Sequence, residues 1–173
     1  MKEHNFSMGL RRATKSISDE EVDIIYKEIK RINADPSVFS IDRTGRAKTA
    51  YREVSDIIVV GSNVFPDLDN PINMTDKLSV ACVLAHEYYG HRSMRDEYLK
   101  EEVDTTNSSL DEFKASFFAY KNTPNLTEEE REMLLYQAYE TAKNGKLENE
   151  IKICQEIIRQ NNRTIFESKD SDE

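Results

Sequence analysis

A chain of 173 residues, 38% apolar and 33% charged, is long enough to bury a core without disulfides and polar enough for a strongly solvated surface. Its net charge of −9 opposes a general nucleic-acid role and gives no attraction to anionic membranes. No apolar run approaches the ~18 residues that span a bilayer, the N-terminus lacks the regions of a secretory signal, and Cys82 and Cys154 form no CxxC pair, so a reduced, cytoplasmic protein is expected.

Residues 1–17, with Arg11, Arg12 and Lys15, show no sustained periodicity and read as an N-terminal arm. Ser18-Asp19-Glu20-Glu21 is a capping box, with Ile17 and Val22 placed as its hydrophobic staple. The helix it opens has Val22, Ile25, Tyr26 and Ile29 on its buried face and should stop before Asp35-Pro36. Between Val38 and Pro66 the period changes. Val38-Phe39-Ser40-Ile41 and Ser55 to Val60 are β-branched runs bounded by Thr44-Gly45 and Gly61-Ser62-Asn63. They predict a small antiparallel sheet of two or three strands, with Ile57 to Val60 offering an exposed edge. A loop over residues 65–73 leads to a helix from about Lys77 to Tyr89, capped by Thr75 or Asp76. Helices follow over 95–103, 110–121, 128–143 and 147–161, with a second capping box at Thr127-Glu128-Glu129-Glu130 and a stop at Asn144-Gly145. Residues 166–173 are too polar to pack and are expected to be a disordered acidic tail. The pattern is that of one α+β domain over residues 18–165, mostly helical, with its sheet ahead of the central helix.

That central helix carries the chemistry. Two of the three histidines flank a glutamate in His86-Glu87-Tyr88-Tyr89-Gly90-His91, directly after the apolar Val80, Ala81, Val83, Leu84 and Ala85. Burying two imidazoles and a carboxylate costs several kcal/mol per group unless something satisfies them. A divalent ion does so, and zinc favours this mixture of nitrogen and oxygen donors. The spacing raises an objection, because position i+5 lies about 140° around an ideal helix. Either an i→i+5 widening or a helix end at Gly90 would bring His91 back, and glycine permits both. Two plainer readings compete: an exposed helix end with His91 as a cation near its C-terminus, and a Cys82–His86 pair lacking further cysteines. For a third ligand the candidates are Asp96, Glu97, Glu101, Glu102, Asp104, Asp111 and Glu112. Glu112 is preferred because small Ala115 and Ser116 follow one turn on and would allow close helix approach; Glu97 is its main rival. Glu112 could instead tie off its own helix in a Ser109-Leu110-Asp111-Glu112 capping box.

His86-Glu87-Tyr88-Tyr89-Gly90-His91 resembles the H-E-x-x-G-H motif of the dipeptidyl peptidase III family, and Asp111-Glu112-Phe113-Lys114-Ala115 is similar to its E-E-x-x-A motif. The chain thereby looks like a zincin of the gluzincin type, although it is far shorter than that family's members. In size and element order it looks more like the compact ImmA/IrrE-type metallopeptidases of bacteria and mobile elements such as phage. Glu112, Ala115, Phe118 and Ala119 resemble their E-x-x-A-N-x-F-A segment, with Ser116 in place of asparagine and with one residue more between the histidines. The resemblance implies Zn²⁺ on His86, His91 and Glu112, Glu87 as general base, and a peptide or protein substrate. Tyr88, Tyr98, Tyr120 and Arg95 are candidates to stabilise the transition state, His4 being too remote in sequence. The alternatives are a catalytically silent zincin-like regulatory module, a hydrolase of a non-peptide amide, and a metal-free helical interaction domain.

Overall fold

The computed structural model describes residues 15–69, 71, 74–100 and 108–169, so most of the N-terminal arm, Glu101, Glu102, Asp104 and residues 170–173 lie outside the described residues. Helix α1 spans Asp19–Arg31 and begins with the expected capping box, in which Ser18 accepts from the Glu21 amide and Glu21 accepts from the Ser18 amide. It buries Ile25 and Ile29, and Ile32 follows them into the core; Tyr26, expected on the same face, is 46% exposed. A single 3₁₀ turn at Pro36–Val38 then feeds strand β1, Phe39–Ile41.

The sheet has three strands in the order β1-β3-β2, with β2 at Ala50–Arg52 and β3 at Ile57–Val60. Only β2 and β3 pair antiparallel; β1 runs parallel to β3, which corrects the purely antiparallel expectation. The physical reason is that the segment after β1 reverses the chain without a tight hairpin, which leaves room for β3 between β1 and β2. Asp42 organises it by accepting from the Thr44 and Ala47 amides, and the chain crosses to the far side of β3 before re-entering the sheet. Strand β3 is therefore central, and the edge predicted for it does not exist. Its Ile58 and Val60 point into the core, as the alternation requires.

The central helix is built from short pieces rather than one run. Helix α2 covers Met74–Lys77, and after a break at Leu78 a new helix α3, Val80–Ala85, is capped by Ser79 accepting from the Cys82 amide. Ser79 thus replaces Thr75 and Asp76 as the cap. All six α3 residues are buried between α1, the sheet and later helices. The chain then passes through a π-helical turn at His86–Gly90 and a 3₁₀ turn at His91–Met94 into α4, Arg95–Leu99. Helices α5 (Ser108–Asn122), α6 (Glu128–Asn144) and α7 (Glu148–Lys169) complete the fold. Phe113, Leu135, Ala138, Ala142 and Cys154 form a second apolar cluster among these three. Helix α7 reaches Lys169, past the expected start of the polar tail. Among the described residues no helix is long and apolar enough to cross a membrane.

One buried carboxylate ties α1, α3 and α6 together. Glu130 completes the Thr127 capping box and also accepts from Arg31 at 2.6 and 2.9 Å and from the Ser79 hydroxyl at 2.8 Å. Burial opposes its ionisation, but the hydrogen bonds from Arg31, Thr127 and Ser79 prevail and bring its pKa from 4.5 down to about 2. A lowered carboxylate pKa stabilises the fold above the unfolded value and loses that contribution as pH falls through the folded one. Glu130→Gln is therefore expected to cost about 2–3 kcal/mol near neutrality, less than a fully buried pair because Arg31 keeps partial exposure. The deficit should shrink between about pH 4.5 and 2. Urea unfolding of wild type and variant across that range measures both effects.

Candidate metal centre

The π-helical turn resolves the five-residue spacing. The backbone N–H of His91 donates to the carbonyl of His86, the i→i+5 bond that widens the helix and brings the second histidine over the first. Their Nε2 atoms lie 3.1 Å apart, with the rings edge-on at 79°. Glu112, from the first turns of α5, straddles them, with Oε2 3.2 Å from His86 Nε2 and Oε1 3.2 Å from His91 Nε2. The His86 side chain is 1% exposed, that of His91 12% and that of Glu112 15%. Helix α5 can come this close because Gly90 packs against its backbone. A Cβ at Gly90 would overlap the Ala115 carbonyl oxygen and sit 2.8 Å from its carbon.

These donors fit a divalent ion. Ligands about 2.0–2.1 Å from a tetrahedral ion stand about 3.3 Å from one another, close to the observed 3.1 Å between the imidazole nitrogens. Among the described residues, His86, His91 and Glu112 are the group of three whose ligand atoms all lie within 4.8 Å of each other. Their charges show what an ion relieves. Burial opposes protonation of His91, yet the facing Glu112, with Glu87 and Asp111, pushes its pKa up to about 9. Burial likewise opposes ionisation of Glu112, but the two histidines hold its carboxyl well below the usual carboxylate range.

Around the donors, Ser116 Oγ lies 3.1 Å from His86 Nδ1, and Tyr98 Oη lies 2.9 Å from His91 Nδ1. Glu87 is buried beside the donors but does not join them; its Oε2 accepts from the backbone N–H of Tyr51 on β2 at 2.8 Å. The remaining candidates are placed elsewhere. Glu97 is half-exposed and 3.9 Å from Lys114, and Asp96 is exposed in the first turn of α4. Tyr98 lies behind His91, on the side away from Nε2. Arg95 donates to the Glu53 carbonyl, Tyr88 stacks on Phe39 beneath the Arg92 guanidinium, and Tyr120 packs in the cluster among α5, α6 and α7.

Three features were not anticipated from sequence: the Tyr51 amide, the Ser116 contact and the Tyr98–Asp111 pair. Only Ser116 had a signal, its position in the α5 motif. No protein-family model, curated protein or solved structure matches the chain, and the site is characterised by its own geometry.

Proposed function

We propose that the protein is a zinc-dependent metallopeptidase, with His86, His91 and Glu112 holding the ion and Glu87 acting as general base. The observation that carries this reading is the buried convergence of two imidazole nitrogens and one carboxylate, beside a glutamate that is bonded elsewhere. Two neutral imidazoles and one carboxylate form the mixed set that zinc hydrolases use, and three protein donors leave room for water. Bound there, zinc would act as a Lewis acid, bringing a water pKa toward ~7 and polarising the scissile carbonyl.

The chain's own residues supply the proton path. Glu87 is anchored through Oε2 by the Tyr51 amide, which keeps the carboxylate from swinging onto the ion. Its other oxygen takes a proton from the attacking water and hands it to the departing amine. The five-residue separation of His86 and His91, which resembles the H-E-x-x-G-H pattern, supports the same assignment.

Elemental analysis of the purified protein should find one zinc per chain, lost in His86→Ala and in His91→Ala. Cleavage of a mixed peptide library should vanish on chelation and return with added zinc. Absence of stoichiometric zinc would overturn the proposal at its root. Stoichiometric zinc with no cleavage would overturn its enzymatic half and leave a zincin-like binding module.

A further inference from the structure

We infer that Tyr98 and Asp111 act as a single relay that orients His91 toward the ion and tightens its hold, an inference that rests on the metal-binding reading but not on turnover. The Tyr98 hydroxyl lies 2.6 Å from Asp111 Oδ1 and 2.9 Å from His91 Nδ1. An ionised carboxylate only accepts, so the single hydroxyl proton goes to Asp111. The phenol oxygen must then accept from His91, which places that ring's hydrogen on Nδ1 and leaves the Nε2 lone pair facing Glu112 and His86. Asp111 does not do this directly, because its nearer oxygen stands 3.7 Å from Nδ1, beyond hydrogen-bond reach.

His91 needs such a tether more than His86 does. His86 follows a fully buried α-helix, whereas His91 sits where a π-helical turn gives way to a 3₁₀ turn. The relay also bridges two elements: Tyr98 belongs to α4, and Asp111 precedes the ligand Glu112 on α5. The group that fixes one ligand ring is therefore chained to the helix that delivers another ligand. Groups that hold the far nitrogen of a ligand histidine typically account for 10–100-fold in metal affinity.

Zinc affinity, measured by competition with a chromophoric chelator, tests the relay in wild type, Tyr98→Phe, Asp111→Asn and the double variant. Each single change is expected to weaken zinc binding by about 10–100-fold, and the double should be no weaker than the worse single, because both break one chain. The cobalt-substituted forms should show a shifted visible spectrum, a change in ligand orientation that altered folding alone would not produce. Urea midpoints of the metal-free proteins confirm that the variants fold. A Tyr98→Phe affinity within about twofold of wild type, or losses that multiply in the double variant, would overturn the relay. A wild type that takes up no zinc would sink the metal reading itself, so the two failures are distinguishable.

Discussion

Glu87→Gln is expected to lower peptide cleavage by about 10²–10⁴-fold while zinc content stays at one per chain. The substitution keeps shape and keeps an oxygen able to accept from the Tyr51 amide, so the side chain should remain anchored to β2. What it removes is the capacity to accept a proton. Zinc should be unaffected because Glu87 lies outside the group formed by His86, His91 and Glu112. The loss should fall on kcat and kcat/KM alike, since proton transfer belongs to the transition state and not to substrate binding. A thousandfold loss corresponds to about 4 kcal/mol of transition-state stabilisation. An unchanged cleavage rate in a zinc-loaded variant would remove Glu87 from the mechanism.

Gly90→Ala is expected to abolish tight metal binding without touching a ligand. The added methyl group meets Ala115 through its carbonyl oxygen, carbonyl carbon and Cα, all backbone atoms. No rotamer change relieves that overlap, and trimming Ala115 to glycine would not either. Helix α5 must move away, and Glu112 sits three residues before the point of contact. Metal coordination tolerates only about ±0.2 Å in ligand distance, so a displacement on the order of 1 Å should lower zinc affinity by at least about 10²-fold. The overpacking itself costs about 1–3 kcal/mol, which leaves a folded protein in which the affinity can be measured. Wild-type affinity in Gly90→Ala would show that the two elements are not locked by this contact.

The readings that succeeded depended on short-range rules. Both capping boxes form as Ser18 with Glu21 and Thr127 with Glu130, because a hydroxyl and a carboxylate three residues apart need only each other and two amides. The π-helical turn was foreshadowed by pairing an awkward histidine spacing with Gly90, and Glu112 by the small residues following it. What escaped depends on distant partners. Nothing local to Glu130 signals that Arg31, 99 residues away, will share its carboxylate. Strand β2 has no β-branched run to mark Ala50–Arg52, and β1's parallel pairing is decided by where the chain crosses the sheet. Tyr98 looked like a reagent for the substrate side because a tyrosine near a histidine reads the same from either face of the ring. Its partner Asp111, thirteen residues on, decides which.

The bond between Glu87 and the Tyr51 amide has a further consequence for self-association. Strand β2 is an outer strand, and an outer strand with a free amide is a template on which a second molecule can stack. Here the amide at the middle of that strand is occupied from within by the acid proposed for proton transfer. Packed against the π-helical turn, the outer strand therefore offers no donor at Tyr51, one of the ways a fold blunts a sheet edge against pairing with another chain.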